Sequence, residues 1–202
     1  MNRIRIGKKI VTTTTLILSV FLVSCLGFGH PSRGFTAEDL LLTQEMVPQN
    51  WKRTQVVPVS VARFGFGNEE FDRQVGFVEQ NDLQDRVLAD HFVLVFRDAG
   101  RAANWYEDKI RSEFNDNSIA INGAWSSHPD LTYEPTSPEQ YRVACAINNI
   151  AGKQRVCKFM AQYQEFVIIF STVIDSDTTS VSGFNELVEQ IDRIMIDHLQ
   201  EG

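Results

Sequence analysis

Along most of the chain, apolar residues recur with periods that select a backbone geometry. From about Val87 to Arg97, Phe92, Leu94 and Phe96 alternate with His91, Val93 and Val95, so an extended segment here carries apolar residues on both faces. Such a strand belongs inside a sheet with cover on each side. Phe166 to Ile174 is an unbroken β-branched and aromatic run, which predicts another buried strand, ended by Asp175-Ser176-Asp177-Thr178-Thr179. After the first of these strands Asp98 is placed to cap a helix. From Ala99 to about Asn115, Ala102, Tyr106, Ile110 and Phe114 repeat every four residues, with Ala103 and Trp105 beside them, giving one apolar stripe. The clearest helix begins near Ser180, where Phe184, Leu187, Val188, Ile191, Ile194, Met195, His198 and Leu199 follow three-four spacing.

The remaining segments read with the same rules. Thr36 as N-cap, Asp39 three residues on, and Phe35 placed to staple onto Leu40 predict a short helix to about Gln44. Val47 to Trp51 turns the chain, and Trp51 to Val61 is extended, with Pro58 marking an edge strand or bulge. Glu70 to Gln80 and Ile119 to Trp125 are extended, and a turn rich in proline spans Pro129 to Pro138. Tyr141 to Ile147 and Arg155 to Tyr163 flank residues 148–152 as a hairpin. If Cys145 faces Cys157, then Val143 faces Phe159, Tyr141 faces Ala161 and Ile147 faces Arg155, a set of pairs that supports a disulfide in that register. The expectation is a single α+β domain over residues 35–202, built on an antiparallel sheet of about six or seven strands covered by helices.

The N-terminus follows other rules. Arg3, Arg5, Lys8 and Lys9 precede a largely apolar run from Ile10 to Val23, a secretory leader too short to span a bilayer, which takes about 20 apolar residues. The run ends in Leu22-Val23-Ser24-Cys25, which resembles the lipobox of bacterial lipoprotein precursors. That resemblance implies cleavage after residue 24, acylation of Cys25, and a short tether over residues 25–34. Two acyl signals suffice for stable anchoring. The implied site is the outer face of the cytoplasmic membrane or the outer membrane, with lipid as the first partner. The leader's four basic residues and no acid take the net charge from -7 to -11 when removed. A domain this acidic argues against nucleic acid and against electrostatic attraction to anionic lipid. Export leaves Cys145 and Cys157 where a disulfide persists.

The Leu40-Leu41-Leu42-Thr43 and Val47-Pro48-Gln49-Asn50-Trp51 opening, the Phe92-to-Ala99 strand before a helix, and the terminal helix are similar to secreted sensor-type domains. These include extracytoplasmic sensor domains of some bacterial Ser/Thr kinases and, more loosely, photosystem II extrinsic P-like proteins. Asn50 stands where a Gly usually precedes the opening Trp. The resemblance implies binding rather than catalysis: a small-molecule ligand or a membrane-protein partner, with no cofactor. Common nucleophile-elbow, phosphate-loop and dinucleotide signatures are absent from the sequence. His30, His91, His128 and His198 lack metal-ligand spacing, and Asp175 and Asp177 lack the rest of a calcium loop, so no metal is expected. Asp82, Asp85 and Asp90 lie near Glu79 and would carry the less favoured hydrolase reading. The candidate contact loop is Arg63-Phe64-Gly65-Phe66-Gly67, whose two phenylalanines either meet a partner or plug the sheet end.

Overall fold

The computed structural model describes residues 33–59, 71–79, 86–115, 121–148, 153–175 and 178–201. Residues from Arg33 onward form one compact unit. Its strands are β1 (Trp51–Arg53), β2 (Val57–Pro58), β3 (Arg73–Glu79), β4 (Val87–Val95), β5 (Ile121–Ser126), β6 (Gln140–Asn148), β7 (Gln154–Tyr163) and β8 (Phe166–Ile174). Helix α1 (Ala99–Glu113) follows β4, and α2 (Val181–Glu201) closes the chain. All strands join one antiparallel sheet in the order β1-β3-β4-β8-β7-β6-β5, with β2 also on β3. The α+β class and single sheet agree with expectation; the strand count reaches eight because the extended segment from Trp51 splits in two.

Strand alternation divides the core into two layers. On one face Val93, Phe159, Ala161, Ile168 and Phe170 pack with Phe184, Leu187, Val188 and Ile191 of α2. On the other, Phe92, Leu94, Met160, Val167 and Ile169 pack with Ala102, Trp105 and Tyr106 of α1. The β4 and β8 strands pair along Ala89 to Val95, and their apolar double faces are explained by this cover on both sides. Asp98 caps α1 by accepting the Arg101 amide at 2.8 Å, and Phe114 ends the helix.

The expected helix from Thr36 to Gln44 does not form. The cap chemistry is present, since Asp39 accepts both the Thr36 amide at 2.7 Å and its hydroxyl at 2.8 Å. The chain nevertheless makes only tight turns, closed by Asp39 N–H to Thr36 O and Leu41 N–H to Glu38 O, and then a short 3-10 turn at Gln44–Met46. Leu40, Leu41 and Leu42 are all buried, and three consecutive side chains cannot all face one core from a single helix. Instead they form a strap over the α2 face. Phe35 packs its ring against Phe166 and His198. The Gln44 amide then caps the sheet edge, donating to Trp51 O at 2.7 Å and accepting from Arg53 N–H at 2.8 Å, which blunts β1 against further pairing.

The hairpin follows the register read from the cysteines. Cys145 pairs with Cys157, Val143 with Phe159, Tyr141 with Ala161 and Ile147 with Arg155. The disulfide closes across the two strands. Edge strand β5 is less regular: Asn122 opposes Ile147 and Ser126 opposes Cys145, so the intervening stretch of β5 bulges. The bulge turns Trp125 into the α1-side core, edge-on to Phe114.

Candidate functional site

Many of the sequence-predicted candidates fall outside the described residues. Cys25 with the leader, and the Arg63, Phe64 and Phe66 loop, lie outside the described residues, as do His30, Asp82, Asp85 and Asp177. Asp90 sits on β4 and accepts from Gln74 Nε2 at 3.3 Å. Asp175 serves the turn after β8: it pairs with Arg86 at 2.6 Å and accepts from the Thr178 amide at 2.8 Å and the Thr178 hydroxyl. His198 donates from Nδ1 to Ile194 O one helical turn back, at 2.9 Å. Arg33, the tether's end by sequence, is tied into the fold. Its guanidinium holds Glu165 through two contacts of 2.8 and 3.0 Å and reaches Gln164 at 2.6 Å.

Two buried polar centres lie on the α2 face, and sequence reasoning found neither. Asp192 of α2 is fully buried and accepts from Tyr163 OH at 2.9 Å, Tyr133 OH at 2.8 Å and the Thr136 amide at 3.4 Å. Desolvation first, and then the Asp192 carboxylate, raise both phenols well above their ordinary value. The hydroxyls therefore stay protonated as donors and hold the loop before β6 to the helix and the sheet. The signal was legible, because Asp192 follows Val188 by four residues and precedes Met195 by three, inside the apolar stripe. The second centre is His91, also fully buried, whose Nδ1 accepts the Leu42 amide at 3.2 Å. Burial, aided by the Arg53 charge, lowers its pKa to about 3.

Open space occurs elsewhere among the described residues as well. A cleft of about 170 Å³ lies at the end of α2, between Ile196, Leu199, Gln200 and the Glu139–Gln164 contact. Another, of about 120 Å³, opens where β5 bulges: Ala124, Ile147 and Cys145 give it an apolar side, and Ser126, His128 and Arg155 a polar one. Arg155 contacts His128 Nε2 at 2.8 Å. The Asp130 amide also approaches His128 Nδ1, at 3.2 Å, yet a neutral imidazole accepts at one nitrogen only. A guanidinium only donates, so the Arg155 contact takes the Nε2 lone pair, while Asp130 lies on the Nδ1 side with its amide at 3.2 Å and its carboxylate at 3.6 Å.

No family model matches the chain, and no curated protein matches it. Among solved structures it is similar to the extracellular domain of PknH from Mycobacterium tuberculosis, with a TM-score of 0.51 and 10% sequence identity. The alignment covers 87% of this chain and 100% of that one. At that identity the likeness is one of fold, and at that level it agrees with the resemblance read from the opening strap, the β4–α1 segment and the terminal helix.

Proposed function

We propose that this protein is an exported lipoprotein, held at a membrane surface by acyl chains on Cys25, whose α+β domain is a non-catalytic sensor-type module that binds a ligand. The observation supporting the exported, sensor-type part of this reading is the fold likeness over the full length of an extracellular domain, while the anchor rests on the lipobox-like Leu22-Val23-Ser24-Cys25 alone. The Cys145–Cys157 disulfide adds to it, since such bridges persist in oxidising compartments. The polar groups of the fold support binding over turnover. Asp192, Glu165 and Asp175 are occupied by tyrosines, arginines or turn hydroxyls, and His91 is held neutral in the core. Open clefts sit beside a rigid sheet, the arrangement that ligand sites favour.

The test is mass spectrometry on protein extracted gently from its host membranes, first native and then denaturing. The expected denatured mass begins at Cys25, carries acyl chains and lacks the two hydrogens of a closed disulfide; the expected native mass includes a bound small molecule. An unacylated chain overturns the anchor. An acylated chain with no added mass overturns the ligand module and directs attention to a membrane-protein partner.

A further inference from the structure

We propose that the cleft beside the disulfide binds a carboxylate carrying a short apolar tail, the head on Arg155 and the tail against Ile147 and Cys145. This rests on the binding reading above and names the ligand class. The cleft opens where β5 bulges: three residues between Asn122 and Ser126 stand against one, Ala146, on β6. Both apolar and polar residues line the opening. Ala124, Ile147 and Cys145 give an apolar floor, fixed by the cross-strand bridge to the fully buried Cys157. Ser126, His128 and Arg155 gather the polar groups at one side.

The polar side is rich in donors. Arg155 spends one N–H on His128 Nε2, and among the described residues its fork has no other polar contact. His128 thereby positions the guanidinium and offers the cleft no lone pair. Asp130 lies on the Nδ1 side of the imidazole, its carboxylate 3.6 Å from that nitrogen. A planar guanidinium with free parallel N–H groups matches a carboxylate in two-point geometry. A volume of about 120 Å³ accommodates an anion with a few carbons and excludes a large ring system. Inorganic phosphate would fill the head position and leave the apolar floor unused, so the geometry favours an organic acid. The same chemistry is presented by a free short-chain acid and by the C-terminus of a peptide.

The experiment is a titration of the full chain in detergent micelles, reading the backbone amide signals of Ala146 and residue 147, which parent and variants share, by ¹H–¹⁵N NMR. The probes are acetate, butyrate, N-acetyl-alanyl-alanine and the amide of that peptide. Butyrate is expected to give a saturable shift and to bind roughly tenfold tighter than acetate, from its two added methylenes. Arg155→Gln is expected to weaken butyrate about tenfold or more with melting unchanged, because the side chain is exposed. Ile147→Ala is expected to erase the butyrate advantage while acetate binds as before, a second variant independent of the charge. Binding of the peptide acid but not its amide assigns the source as a chain terminus; binding of butyrate alone assigns a free acid. Absence of a saturable shift, equal affinity for acetate and butyrate, or unchanged binding by Arg155→Gln overturns the proposal. A copurified ligand together with inert butyrate overturns this cleft alone, and an unacylated Cys25 overturns the anchor alone.

Discussion

The sharpest physical prediction concerns acid and His91. In the fold its Nδ1 accepts the Leu42 amide at 3.2 Å, so the proton of the neutral ring is on Nε2, where it has no hydrogen-bond partner among the described residues, beside the Phe170 ring set edge-on. Protonation puts a second hydrogen on Nδ1, which then faces the Leu42 N–H as donor against donor, and creates a charge without solvent in the field of Arg53. The folded pKa is therefore about 3 against an ordinary 6.5. A base whose folded pKa is lowered is protonated first in the unfolded chain. Its contribution is complete above about pH 6.5 and is lost as the pH falls toward 3. Linkage gives a loss of roughly 2 kcal/mol by pH 5 and roughly 3 kcal/mol by pH 4, upper bounds if the strap opens locally first. The control is His91→Asn, which keeps an acceptor near the Nδ1 position but does not titrate. It is less stable at pH 7 because it leaves space beside Phe170, so the comparison lies in slopes. Urea unfolding followed by tryptophan fluorescence at pH 7, 5 and 4 should show the parent losing roughly 3 kcal/mol more than the variant by pH 4, with matching m-values. Parallel loss in both proteins refutes the reasoning and moves the acid sensitivity to carboxylates.

Other consequences are simpler to state. Reducing the Cys145–Cys157 bridge, or replacing both cysteines by Ser, should cost roughly 3 kcal/mol in the chain-entropy model, read as a lower melting temperature in calorimetry. Tyr163→Phe should cost about 2 kcal/mol, since it removes a buried donor to the Asp192 carboxylate, and Tyr133→Phe less because that ring is half-buried; denaturant midpoints check the order. Both phenols have folded pKa values raised above the unfolded one, so their stabilisation is complete below about pH 10 and declines above it. An alkaline melting series should be flatter in the double Phe variant. Asp98→Ala removes the α1 cap and should cost about 1 kcal/mol, visible as a fall in the urea midpoint without change in the sheet.

What could be read in advance depended on whether a local pattern was also the global demand. The stripe from Ala102 to Phe114 became α1 because its period and its burial coincide, and the doubly apolar β4 and β8 are central for the same reason. The cysteine pairing fixed the hairpin because a slip of one residue would turn Val143 and Tyr141 to the wrong face. At Thr36 the two levels disagreed. The cap formed, but the core took Leu40, Leu41 and Leu42 together, and packing three neighbours outweighs a helix too short to stand alone. The break after Arg53 was hidden for a related reason. Thr54 bonds through its amide to Gly76 O and through its hydroxyl to Gly76 N–H, and a Cβ at Gly76 would meet that hydroxyl at 3.3 Å. The glycine is thus a partner to a residue more than twenty positions away, a relation no local window contains. The proposed carboxylate cleft is the extreme case: it arises from a count mismatch between β5 and β6, whose mark in the sequence is Gly123 inside β5, and a glycine in an extended run does not say what opens beside it. Arg155 looked in sequence like one more solvated charge on a hairpin arm. Its place at the mouth of that opening, held by His128, is visible only in the fold, which is why its substitution tests the proposed carboxylate site more directly than any motif in the chain.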